Sequence, residues 1–149
     1  MNNPAMDKPI KILLVEDNAG DVRLTREAFK ECKVATIMEV VSDGEEALAF
    51  LKRNGSGVEN HPDIILLDLN LPKKDGREVL AEIKSDPTLR QIPVVILTTS
   101  KANQDILKCY DMHANCYIAK PVDVNEFIQA VKTIEDFWLT IVKLPPRSV

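Results

Sequence analysis

Long apolar runs are missing from this chain. None approaches the roughly 20 consecutive residues that a helix needs to cross a bilayer, and the start Met1-Asn2-Asn3-Pro4 has no apolar core of the kind a secretory leader carries. The expectation is a cytoplasmic protein with no membrane partner. A basic excess is missing too: Lys plus Arg number 19 against 23 Asp plus Glu, a net charge of −4. Nucleic-acid binding depends mainly on neutralising phosphates, so no nucleic-acid partner is expected. Cysteine is scarce. Cys32, Cys109 and Cys116 are odd in number and form no Cys-x-x-Cys pair, which argues for reduced structural thiols and against a disulfide framework or a zinc site. No repeat, low-complexity tract or change of composition divides the chain, so residues 1–149 read as one domain.

What is present is an alternation of strand and helix signals, the pattern of an α/β protein with a parallel sheet. Strands are expected near residues 10–16, 36–41, 63–68, 93–98 and 115–119. Helices are expected near 20–32, 44–54, 75–86, 102–112 and 123–141. In the first helix Val22, Leu24, Ala28 and Phe29 take one face while Arg23, Arg26, Glu27 and Lys30 take the other. Asp43 is positioned to cap the second helix, and Asn54-Gly55-Ser56-Gly57 ends it. The prolines of Asp86-Pro87 and Ile92-Pro93 push the residues before them out of helical conformation at the entry to the fourth strand.

The chemistry lies at the ends of the apolar runs. Ile64-Ile65-Leu66-Leu67 ends in Asp68, Ile12-Leu13-Leu14-Val15 in Glu16-Asp17, Val94 to Leu97 in Thr98-Thr99-Ser100, and Cys116 to Ala119 in Lys120-Pro121. In an open parallel sheet the carboxyl ends of the strands face one crevice, where such folds bind ligands. Alone, each residue has an ordinary explanation as a cap, a turn or a solvated acid, and Ser100 suits a helix cap. Together they suit a divalent cation beside a phosphoryl group. Asp68 can accept the phosphoryl group as a nucleophile. Glu16, Asp17 and the Asn70 backbone carbonyl can hold Mg²⁺ or Mn²⁺, while Lys120 and Thr98 bind phosphoryl oxygens.

These motifs resemble a response-regulator receiver domain, the phosphoacceptor half of two-component signalling. The resemblance covers about residues 8–140. It rests on Leu14-Val15-Glu16-Asp17-Asn18, Leu66-Leu67-Asp68-Leu69-Asn70-Leu71-Pro72 with Asp75-Gly76, Leu97-Thr98-Thr99-Ser100 and Tyr117-Ile118-Ala119-Lys120-Pro121. It implies a flavodoxin-like, doubly wound five-stranded sheet of order 2-1-3-4-5, with a cis peptide before Pro121. It also implies Asp68 as phosphoacceptor, Thr98 and Tyr117 as a switch pair, and Asn70 and Ser100 tuning a self-catalysed dephosphorylation. The stretch Asn70 to Leu80 and the ending from Phe137 to Pro145 are similar to single-domain response regulators that work with phytochrome-type histidine kinases in cyanobacteria. That likeness implies a signalling protein and not an enzyme, with a sensor histidine kinase as donor, an unknown downstream protein as target, and no output domain after residue 149.

The tail adds an expectation of its own. Phe127, Val131, Ile134, Trp138 and Ile141 recur at helical spacing, widened by Phe137. Two readings stay open for the outer part, Phe137 together with Trp138 and Ile141 of an extension of about residues 138–149: packing on the sheet, or a homodimer or partner contact. His61 and His113 are expected as surface or loop residues. An aspartyl phosphatase of the haloacid-dehalogenase type is the enzyme alternative, but Asn70 stands where its general acid would be. A flavin-binding module would find its phosphate repelled by Glu16-Asp17. A receiver that binds partners without phosphorylation is the third alternative.

Overall fold

The apolar runs become strands of one parallel sheet. The structure, a computed structural model, describes residues 9–30, 35–53, 61–98 and 116–119, together with 125, 129, 132 and 133. In chain order the elements are β1 (Ile10–Val15), α1 (Ala19–Lys30), β2 (Thr36–Val41), α2 (Gly44–Arg53), β3 (Ile64–Leu67), α3 (Gly76–Ser85), β4 (Val94–Thr98) and β5 (Cys116–Ala119). The strands order as β2-β1-β3-β4-β5, all pairs being parallel. Each lies within a residue or two of its expected place, the ordinary scatter at element ends. Residues 125, 129, 132 and 133 are helical; the expected helix at 102–112, the rest of that at 123–141, and the Lys120-Pro121 bond lie outside the described residues.

A central parallel strand must bury both faces, and the side chains divide accordingly. Leu13, Val15, Ile65, Leu67, Val94 and Ile96 enter one core with Leu48, Leu51, Leu80 and Ile83 of α2 and α3. Ile12, Leu14, Ile64, Leu66 and Val95 enter the other with Ala28 and Phe29 of α1. The amphipathic reading of α1 holds, since Arg23, Arg26, Glu27 and Lys30 are exposed and Val22 and Leu24 pack against the second core.

Three helix starts are set by carboxylate or amide side chains. Asn18 Oδ1 accepts from the Asp21 amide at 2.9 Å, Asp43 Oδ1 from Glu46 at 2.7 Å, and Asp75 Oδ1 from Arg77 at 2.8 Å. Such a side chain satisfies an amide that the helix leaves unpaired. His61, expected as a surface or loop residue, lies in the loop just ahead of β3, but it is not at the surface: it is 2% exposed, and neither ring nitrogen has a partner among the described residues. Its place follows from Pro62-Asp63, whose Asp63 carboxylate accepts from the Lys11 amide at 2.9 Å while the Asp63 amide donates to the Lys11 carbonyl at 2.8 Å. That pair of hydrogen bonds ties the chain at Asp63 to β1. Among the described residues no helix is long and apolar enough to cross a membrane.

Candidate functional site

Strand register decides which side chains meet. Val15 of β1 pairs with Leu67 of β3, so these two strands finish level, while Leu67 pairs with Ile96 of β4, which runs on to Thr98. The ladder continues one step past the strands. The Asp68 amide donates to the Val15 carbonyl at 3.1 Å, and the Glu16 amide to the Val41 carbonyl at 3.0 Å. Glu16 and Asp68 therefore leave adjacent strands at the same height.

The result is a cluster of Glu16, Asp17 and Asp68 in which one carboxylate oxygen from each lies within 4.8 Å of the others. Glu16 and Asp68 are buried, at 3% and 6% exposed, and Asp17 is exposed. Two of the acids are aimed in the same manner. The Asn18 amide donates to Glu16 Oε2 at 3.2 Å and the Asn70 amide to Asp68 Oδ1 at 2.9 Å, each from two residues further along. Two full charges at such a separation repel by about 3.5 kcal/mol at an effective dielectric near 20. A divalent cation reverses that sign, and Mg²⁺ or Mn²⁺ asks for oxygen donors of this kind with water completing the octahedron. The donor set fits such an ion: hard oxygens, two of them on buried and oriented carboxylates, and one acid open to solvent as an entry side.

Beneath Asp68 the packing admits only glycine at one position. A Cβ on Gly76 would fall on the Asp68 carbonyl oxygen and lie 2.7 Å from Leu69 Cα. The Gly76 amide donates to the Leu69 carbonyl at 3.0 Å. The first turn of α3, capped by Asp75, thus rests directly on the backbone that carries the acceptor candidate. The Asp75-Gly76 pair was legible as a motif, but its role as a backbone seat was not. Asn18 was missed as cap and as amide donor. An Asn three residues before an Asp at a helix start is the signal that could have found it.

The structure brings together Glu16, Asp17, Asp68 and Asn70. The Asn70 group it shows in contact is the amide, on Asp68; the carbonyl was the group expected to serve the cation. Thr98 ends β4 in register with Ala119, the last residue of β5, and Tyr117 pairs with Ile96 in the same ladder. Lys120, Ser100, Phe137, Trp138 and Ile141 lie outside the described residues. A cleft of about 350 Å³ lies beside Lys11, Ile37 and Phe50 and another of about 420 Å³ beside Leu48 and Glu82, and neither is lined by any of the three acids.

The chain as a whole is similar to known proteins. The family described as response regulator receiver domain matches residues 12–132. The response regulator Rcp1 of Synechocystis sp. is 49% identical over 139 residues, covering 92% of this chain and 94% of that protein. The solved structure of the phosphorylated cyanobacterial phytochrome response regulator RcpA is similar at a TM-score of 0.86 and 54% identity, over 93% of this chain and 100% of that one. The Mn²⁺-bound form of Rcp1 follows at 0.85 and 48%, over the same shares of the two chains.

Proposed function

The chain belongs to the response regulator receiver domain family, and from that premise we propose that it receives a phosphoryl group on Asp68 from a sensor histidine kinase and signals through the change this makes to its surface. The observation that carries the reading is the convergence of Glu16, Asp17 and Asp68 oxygens within 4.8 Å at the carboxyl edge of the sheet. Likeness to RcpA and Rcp1 supports a phytochrome-type kinase as the donor.

In this reading a carboxylate oxygen of Asp68 forms a bond to phosphorus as the phosphorus–nitrogen bond of a phosphohistidine breaks, the imidazole leaving with the electron pair. Glu16 and Asp17, with Asp68 and the Asn70 carbonyl, would hold a divalent cation, Mg²⁺ by expectation or Mn²⁺, which when bound would supply positive charge to the phosphoryl oxygens. The Asn70 amide on Asp68 Oδ1 steadies the carboxylate for in-line attack. The Thr98 hydroxyl donates to a phosphoryl oxygen, and the Lys120 ammonium pairs with another. As Thr98 moves toward the phosphoryl group, the Tyr117 ring takes the vacated space, which alters the face that a downstream protein reads. Asn70 and Ser100 tune water access to the acyl phosphate, so the protein ends its own signal. The reading includes a cytoplasmic location and a homodimer contact at Phe137, Trp138 and Ile141.

Intact-mass spectrometry after incubation with acetyl phosphate and Mg²⁺ tests the assignment. One phosphoryl adduct is expected on the parent and none on Asp68→Asn. An adduct of equal yield on both proteins would place the acceptor elsewhere, and no adduct on either would favour a receiver that binds partners unphosphorylated.

A further inference from the structure

We propose that Asp43 and Lys73 are positioning residues for the Asp68 site, holding from the start of α2 the loop that brings Asn70 to the acceptor carboxylate. The inference rests on the functional reading above and deepens it, because it names what sets the geometry of that site from outside it.

The loop from Asp68 to Asp75 is pinned close to the acceptor. The Asn70 amide binds Asp68 Oδ1 at 2.9 Å, and the Leu69 carbonyl accepts from both Leu71 and Gly76, at 3.2 and 3.0 Å. Further along, Lys73 adopts φ 65°, a left-handed conformation that places Cβ against the following carbonyl and disfavours side chains other than glycine. Its side chain is 64% exposed. The Lys73 ammonium lies 3.7 Å from Asp43 Oδ2, and the other oxygen of the same carboxylate caps α2 through Glu46 at 2.7 Å. Asp43 is 8% exposed, so its position is set by the helix and not by solvent.

A second contact acts in parallel. Gly44, the first residue of α2, packs on Lys74 so closely that a Cβ would fall on the Lys74 carbonyl oxygen and come within 2.8 Å of both Lys74 Cβ and Val79 Cγ2. The first turn of α2 and the loop therefore behave as one body. Losing the Asp43–Lys73 latch unties the loop from the start of α2 and lets the Asn70 amide and carbonyl turn away from the acceptor. By reciprocity, whatever orders the cation and phosphoryl site also tightens the latch.

The test compares the parent with Lys73→Gly, Asp43→Ser and the double variant. Glycine keeps the left-handed backbone without the ammonium, and serine keeps the helix cap without the charge. Mn²⁺ affinity is read from the paramagnetic resonance of the free ion, and amide exchange of residues 69–75 is read in metal-free protein. The latch predicts about two- to fivefold weaker Mn²⁺ binding in each single variant, the range for a partly exposed ion pair. The double variant binds no more weakly than either single one. Loop amides exchange faster in all three, while Lys73→Gly melts no lower than the parent because glycine relieves the strained φ. A bare charge effect gives another pattern: removing the ammonium would strengthen cation binding and removing the carboxylate would weaken it. Lys73→Gly binding Mn²⁺ as tightly as the parent or tighter overturns the latch, as does a double variant whose losses add. A parent that binds no Mn²⁺ overturns the functional reading, and the latch with it.

Discussion

At the scale of single residues, charge placed in low dielectric decides most of what this molecule can do. Glu16 and Asp68 are buried acids within reach of each other and of Asp17, an arrangement that costs stability unless a cation or a proton offsets it. His61 is the converse, a buried base outside the site. Burial pushes its pKa below the ordinary 6.5, partly opposed by the Asp86 carboxylate. The folded protein therefore keeps His61 neutral at a pH where the unfolded chain protonates it. Above about pH 6.5 both states are neutral and the group has no effect. Below it the unfolded state binds more protons, and stability falls with pH by up to about 1.4 kcal/mol per unit until the folded pKa is reached. Thermal midpoints between pH 7 and 5 should fall less steeply for His61→Leu than for the parent, and parallel slopes would show that His61 is not the titrating group. The sequence did not reveal this residue as buried, because a histidine before Pro62 carries no periodicity; the hydrogen bonds between Asp63 and Lys11 place it.

At the scale of elements, the helices are read from their ends and the strands from their runs. Asp43 stood out as a cap because an aspartate before Gly44-Glu45-Glu46 has a recognisable signature, and the Glu46 amide binds it. Asp75 caps α3 through the Arg77 amide, while the Arg77 guanidinium also reaches both of its oxygens at 3.2 Å. Asp75→Ala removes the amide acceptor at a helix start that sits under Asp68, so it should cost about 1 kcal/mol, measurable as a lower urea midpoint with unchanged slope. A loss near zero would mean that Gly76 packing alone starts the helix. The far end of α3 is tied by Lys84, whose ammonium donates to the Arg90 and Ile92 carbonyls at 3.1 and 2.9 Å. Burial pushes that lysine's pKa down. Nothing in the local sequence announces this tie, since its acceptors are backbone groups six and eight residues away across a turn.

At the scale of the whole molecule, the sheet order β2-β1-β3-β4-β5 turns separate strand ends into one edge, and it leaves β2 and β5 as the outer strands. The proposed dimer contact belongs to this scale. Trp138→Ala should shift the sedimentation of the protein toward the monomer, and a variant as dimeric as the parent would remove Trp138 from the contact.

The α/β class, the strands, the first three helices and the identity of the acids were legible in the sequence, because hydrophobic period, proline and glycine placement and strand-end chemistry are all local signals. Only the tertiary structure decided that Glu16 and Asp68 are buried side by side, that Gly76 seats the backbone of Asp68, and that Asp43 reaches Lys73. The first and last of those facts depend on strand register and on contacts between segments some 30 to 50 residues apart. Such distances close only when both cores form, and a linear pattern holds no record of which side chains the closed sheet brings face to face.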